Sequence, residues 1–203
     1  PCNPSGAVWS PAELAEIAAI VLAHPQMMVL SDEIYEYIIF EGAMTSIGAL
    51  PGMRERTITV NGFSKSFAMT GWRLGYTAAV EPISKAITRI QSTITTGANQ
   101  FVQRAAIEAL EGPRDAVEAM RLRYKARRDM VMAALKKIKG VAISPIPATF
   151  YALPDVSAVL GKKSGNHVLD TPEALCDWLL ESHGVATVPG TAFGAATSIR
   201  LSF

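Results

Sequence analysis

The sequence predicts an α/β protein in two parts: a mostly parallel sheet with flanking helices, then a smaller α+β portion. Three observations carry this. Helix and strand signals alternate through residues 1–112. The continuous apolar run at 27–30 has the length of a strand buried in a parallel sheet, and the β-branched run at 57–60 is a second strand candidate. Beyond Gly112-Pro113 the alternation gives way to one long helix and then a mixed pattern. The expected division is therefore 1–112 and 113–203, with the long helix leading the second part.

The first helix starts at Ser10-Pro11-Ala12-Glu13. Ser10 can cap, Pro11 suits the first helical position, and Glu13 completes a capping box. It should run to residue 23, ahead of Pro25. Met27-Met28-Val29-Leu30 reads as a buried strand, and Thr57-Ile58-Thr59-Val60 as a β-branched one. A third strand is expected at 74–80. Helices follow at 83–93 and 100–111, and the long helix spans 114–139, ended by Gly140. Strands are expected at 141–143 and 150–153, on either side of a Pro-rich turn. Thr171-Pro172-Glu173-Ala174 opens another helix, and strands at 185–188 and 198–202 complete the pattern. There is no internal repeat or low-complexity segment.

Composition narrows the function. Of 203 residues, 49% are hydrophobic and 18% charged, a globular balance with enough apolar surface for a substantial core. Lys and Arg number 19 against 18 Asp and Glu, so a formal charge of +1 gives no electrostatic case for a nucleic-acid or membrane partner. The most basic stretch, Arg121, Arg123, Lys125, Arg127 and Arg128, reads as a solvated helix face. Cys2 and Cys176 are the only cysteines; they supply neither a disulfide framework nor metal-ligand spacing, and a reduced, cytoplasmic setting fits them. No metal site is expected, and His24, His167 and His183 are assigned no catalytic role. No stretch approaches the ~20 apolar residues of a membrane span. The abrupt opening on Pro1-Cys2-Asn3-Pro4-Ser5-Gly6 and the close on Ile199-Arg200-Leu201-Ser202-Phe203 read as cuts through a larger protein.

The chemistry concentrates at strand ends. Asp32 ends the first strand and Lys65 follows the second by a few residues. In open α/β sheets, ligands bind beyond the carboxyl ends of strands. Taken singly, either residue is as easily a surface charge. The flanking residues change that. Asn61-Gly62-Phe63-Ser64-Lys65-Ser66-Phe67-Ala68-Met69-Thr70-Gly71-Trp72-Arg73 places one lysine after an apolar strand and one arginine eight positions on. This resembles the cofactor-lysine segment of the fold-type I, class I/II aminotransferases that use pyridoxal 5'-phosphate (PLP). Asn3-Pro4-Ser5-Gly6, Ser31-Asp32-Glu33-Ile34-Tyr35 and the near-terminal Arg200 resemble further segments of that family. All four fall in family order and span the chain.

What the resemblance implies can be stated residue by residue. The sheet is part of the family's large domain and the second part its small domain. Lys65 attaches the cofactor through its amine and, once displaced, moves a proton at the substrate's α-carbon. Asp32, as a buried carboxylate, keeps the cofactor's ring nitrogen protonated. Asn3 and Tyr35 donate to its phenolic oxygen. Ser64 and Arg73 bind the phosphate. Arg200 takes the substrate's α-carboxylate in its planar fork.

Gly62 stands where some members carry a further phosphate-binding serine. Ala148 stands in Pro147-Ala148-Thr149-Phe150-Tyr151 where glycine is usual, which puts substrate contacts there in doubt. The 189–194 loop shapes the mouth of the site. The implied activity is amino-group transfer between an amino acid and a 2-oxo acid, of aspartate-type or broad specificity, in an intact homodimer. The chain corresponds to an aspartate aminotransferase-like C-terminal half, inactive when isolated. A PLP lyase or synthase of the same fold, an aminotransferase-like sensor domain of a transcription regulator, and an inactive fragment stay open as alternatives.

Overall fold

In the computed structural model, which describes residues 1–203, the chain divides into two units. The first is Val8–Ala119 with Pro1; the second is Met120–Phe203 with Cys2–Ala7.

In the first unit, helix α1 (Pro11–Ala23) starts on the expected capping box. The Ser10 hydroxyl accepts from the Glu13 amide, and the Glu13 carboxylate accepts from the Ser10 amide at 2.7 Å. Its inner face buries Leu14, Ala18 and Val21 with Ile47 and Met53. Burying a side chain such as Met53, fully inaccessible, stabilises by roughly 1.5–3 kcal/mol. Strands β1 (Val29–Asp32), β2 (Thr57–Gly62) and β3 (Gly75–Ala78) form a three-stranded sheet in that order. β1 runs parallel to β2, whereas β3 runs antiparallel to it, so the sheet is mixed. Helices α2 (Glu81–Ile94), α3 (Gln100–Glu111) and α4 (Asp115–Leu135) follow. The Asn99 side chain caps α3, accepting from the Phe101 amide at 2.9 Å. Helix α4 crosses from the first unit's residues into the second's and stops short of residue 139.

Two expectations of the first unit are corrected. The first strand lies two residues later, and it is not buried throughout: Leu30 is 70% exposed. β1 is an edge strand, and only the Val29 face packs on the α1 core. The third strand is short and exposed along its whole length.

In the second unit, β4 (Tyr151–Ala152) and β7 (Val188–Pro189) flank β8 (Ile199–Ser202), all antiparallel. Helix α5 (Pro172–His183) starts on a Thr171 cap and ends on Gly184 in the left-handed region, φ +66°. It packs Leu175 and Cys176 against Val156, Leu169 and Ile199. A small hairpin, β5 (Lys162–Ser164) with β6 (His167–Leu169), was not anticipated. At 141–143 there is no strand, only a bridge between Ala142 and Asp155.

The solvated-face reading of the basic stretch also fails at one position. Arg128 is 5% exposed and donates to the Ile146 carbonyl at 2.8 Å. The prolines at 145 and 147 cannot donate, so the 144–149 turn has few amides to satisfy its own carbonyls, and a guanidinium does so instead.

Candidate active site

The connections leaving β1 and β2 carry five of the expected site residues. The parallel register sets Asp32 beside Val60, so both strands open at the same end of the sheet. Asp32 accepts from the Ile34 amide at 3.2 Å, which starts the turn holding Tyr35. Tyr35 is buried. Asp32 itself is exposed, and the buried carboxylate of this segment is Glu33. β1 is the edge of the sheet, so its last residue has no neighbouring strand on that side to cover it. Glu33 accepts from the Ser31 hydroxyl at 3.0 Å and the Ser46 hydroxyl at 2.7 Å. That satisfaction is what a buried carboxylate requires.

Ser64 and Lys65 lie half-buried in the turn after β2. The turn is held at several points. The Ala68 amide donates to the Lys65 carbonyl at 3.2 Å, and the Met69 amide to the Phe63 carbonyl at 3.2 Å. Ser66, 1% exposed, donates to the Ile34 carbonyl and so ties the Lys65 turn to the Asp32–Tyr35 segment. Gly62 pairs with Gly75 across β2 and β3. A Cβ there would sit 3.0 Å from both the Gly75 Cα and the Leu74 carbonyl oxygen, so this packing disfavours the serine found elsewhere at that place.

Arg73 follows a 3-10 turn at Thr70–Trp72 and takes the left-handed conformation, φ +54°. Its guanidinium donates to the Thr70 carbonyl at 2.8 Å. With Asn61, Trp72, Tyr76, Gln91 and Thr95 it lines a cleft of about 750 Å³.

Asn61, which lines this cleft, is linked to a group that sequence reasoning missed. Glu36 is pushed up from the ordinary carboxylate range, chiefly by burial; a hydrogen bond from the Asn61 amide opposes this, and Glu33 adds to it. The Asn61 side chain also accepts from the Gly62 amide at 2.7 Å. The Tyr76 phenol is likewise pushed up, first by burial and then by Glu36. The Arg114 guanidinium stacks over the Tyr37 ring at 4.8 Å and the Phe67 ring at 5.4 Å.

The remaining two expected residues meet in the second unit. Arg200, on β8, donates through Nη1 to the Asn3 side-chain oxygen at 3.0 Å. Its guanidinium carbon lies 4.5 Å from the Tyr151 ring centre and 4.9 Å from that of Phe193, so two aromatic rings grip it. Its Nε is buried without a hydrogen-bond partner. A planar cation with a held orientation and an unused donor is built to receive a planar anion such as a carboxylate.

Asn3 sits in a turn closed by the Gly6 amide donating to the Cys2 carbonyl at 2.8 Å. Gly6 has φ +73°, and a Cβ on it would lie 2.5 Å from the Ala148 oxygen and 2.7 Å from Ile146 Cγ2. Only glycine allows that approach. Ala148, one of those neighbours, stands in the 146–149 loop. The left-handed residue of that loop is Thr149, φ +67°, and Ala148 is not among the positive-φ residues.

The roles of Tyr151 and Phe193 were not legible as such. An aromatic two positions after a left-handed residue, or at a loop end, gives no pattern that marks it as a guanidinium clamp.

No group of three or more His, Cys, Asp or Glu side chains is placed to hold a metal ion. No helix is long and apolar enough to cross a membrane.

Comparison with known proteins gives a concordant picture. The family model described as aminotransferase class I and II matches residues 1–203. An aspartate aminotransferase of Pinus pinaster is 47% identical over 209 aligned residues, covering 100% of this chain and 42% of its own length. A bifunctional aspartate aminotransferase and glutamate/aspartate-prephenate aminotransferase of Petunia hybrida is 45% identical, covering 100% of this chain and 43% of its own. The crystal structure of the aspartate aminotransferase from Rhizobium meliloti superposes with a TM-score of 0.94 at 37% identity, covering 100% of this chain and 52% of that one. The chain thus spans about half the length of the curated relatives it matches.

Proposed function

The chain belongs to the aminotransferases of class I and II, and from that premise we propose that it carries the lysine turn and the carboxylate clamp of a PLP-dependent transaminase. The observation that carries this reading is Arg200. A guanidinium clasped by two rings, bonded to Asn3 and keeping one buried donor unused, fits an amino acid or 2-oxo acid carboxylate.

The donor set of the first unit fits the cofactor as well. Lys65 offers the amine for attachment. Ser64 and Arg73 offer the hydroxyl and cation a phosphate takes, Tyr35 a phenol for the ring oxygen, and Asp32 a carboxylate for the ring nitrogen. In the second unit Asn3 shares the Tyr35 role. When bound, PLP supplies the electron sink that makes the substrate's α-proton removable.

The chain's own residues do the rest. Arg200 binds and orients the carboxylate, which fixes where the α-carbon sits. The Lys65 amine would take the proton from that carbon and pass it to the bound cofactor in the first half-reaction, and would deliver a proton to the α-carbon of the 2-oxo acid in the second. The Ser66–Ile34 bond and the Asn61–Gly62 bond hold the Lys65 turn in place meanwhile.

Substrates of the aspartate type fit the relatives' names. The Petunia relative's name supports a broader range that includes prephenate. A homodimer in the intact protein is supported by the apolar residues left on α2 and α3: Ile90, Ile94 and Phe101 are exposed. Free thiols at Cys2 and Cys176 fit a cytoplasmic setting. The domain assignment, cofactor-domain sequence up to residue 112 and small-domain sequence after it, is part of this proposal.

The test is borohydride reduction of the PLP-loaded full-length protein followed by peptide mapping. The label is expected on Lys65, and a label on any other lysine refutes the assignment.

A further inference from the structure

Arg128 is buried in the second unit, yet none of the roles assigned above uses it. Keeping a guanidinium out of water costs several kcal/mol unless its donors are engaged. Here Nη1 donates to the Ile146 carbonyl at 2.8 Å, and Nε lies 2.7 Å from an oxygen of the half-exposed Asp129 carboxylate. The carbonyl it meets belongs to a loop with a double duty.

Ile146, Ala148 and Thr149 are 1%, 0% and 0% exposed, so the 146–149 loop is a packed wall rather than a surface turn. One side of that wall receives Gly6, whose Cα approaches Ala148 and Ile146 too closely for any side chain. That contact seats the turn bearing Asn3. The other end leads into β4, where Tyr151 pairs with Ser202 of β8 and puts its ring against Arg200. Both Asn3 and Tyr151, two of the three residues that hold Arg200, are therefore anchored to the loop that Arg128 ties down.

We propose that Arg128 is a positioning residue for the Arg200 carboxylate site, acting through the 146–149 loop that seats Asn3 and Tyr151. It touches neither substrate nor cofactor. The inference rests on the reading of Arg200 as the carboxylate receptor, and the experiment separates the two.

Succinate, a dicarboxylate that cannot react, is titrated calorimetrically into the PLP-loaded full-length protein, its Arg128→Met and Arg128→Lys variants, and Arg200→Lys. Amide exchange of Gly6, Tyr151 and Phe203 is followed in the same samples. Arg128→Met should weaken succinate about tenfold, the equivalent of one hydrogen bond to a charged group. Arg128→Lys, which keeps charge and one donor, should fall between. The Gly6 and Tyr151 amides should exchange faster, and the absorbance of the bound cofactor should not move.

A purely structural role gives a lower melting temperature with unchanged succinate affinity well below it, and that result overturns the proposal. Loss of succinate in Arg200→Lys with none in Arg128→Met overturns it while leaving the carboxylate reading intact. Unchanged binding in both overturns the carboxylate reading and this inference with it. If Arg128→Met does not fold, Arg128→Lys decides by the same titration.

Discussion

At the scale of single residues, the carboxylate clamp depends on shape as much as charge. Arg200 offers a flat face to Tyr151 and Phe193 and a fork toward its ligand. Lysine keeps the charge and loses both. Arg200→Lys is expected to weaken amino acid and oxo acid about 10- to 100-fold, read as dissociation constants, with cofactor absorbance unchanged. Equal weakening of ligands that lack an α-carboxylate would contradict the assigned role.

Glu36 gives a second residue-scale expectation. Its carboxyl is raised by burial, so the folded protein holds the proton more tightly than the unfolded chain. The stability this contributes is complete below the ordinary carboxylate range and is lost as pH rises through the raised value. Near it lie Glu33, Tyr37, Tyr76 and Arg114, of which only the last opposes the shift by charge. Glu36→Gln should therefore flatten the fall of stability across that window and raise stability at neutral pH. Chemical denaturation at a series of pH values checks this; a steeper fall in the variant refutes it.

Among elements, those with chemical punctuation were legible and those defined by pairing were not. Helix α1 could be read from Ser10-Pro11-Ala12-Glu13 because the cap is made by those side chains themselves. Ser10→Ala is expected to cost about 1 kcal/mol, measured by urea unfolding. No loss would mean that the Glu13 half of the box suffices. Helix α5 was read for the same reason, from Thr171, whereas the Asn99 cap of α3 was not read.

The direction of β3 was missed, although the segment between β2 and β3 holds only turns and one 3-10 helix. A parallel return normally needs a crossover helix. The β5–β6 hairpin did carry a signal, the two-residue Gly165-Asn166 link. Leu30 and Arg128 carried none. An apolar residue exposed on an edge strand and a cation buried on a helix both obey contacts made far along the chain. The site residues were legible because their types follow from the chemistry; the aromatic grip and the Arg128 tie were not, because they are properties of packing.

For the whole molecule, the apolar surface is distributed unevenly. Leu30, Ile94 and Phe101 are 70%, 71% and 84% exposed, and β1 and β3 are both open edges. Unpaired edges beside apolar side chains invite association. The 203-residue polypeptide expressed by itself should sediment as concentration-dependent oligomers, and Ile94→Glu with Phe101→Glu should shift it toward monomer. A monomer at all concentrations would show that these residues are covered within one chain.

The Asn3–Arg200 bond has a further consequence, for biosynthesis. Its partners are separated by 197 positions. At ribosomal rates of about 5–20 residues per second, Asn3 emerges roughly 10–40 s before Arg200 exists. For that interval the Asn3 turn has nothing to dock on, because the wall that receives Gly6 is also encoded late, at 146–149. The Asn3 turn is thus made well before the wall that seats it. A nascent chain halted before residue 146 lacks the wall for Gly6, and its Asn3 turn stays accessible to proteases and chaperones.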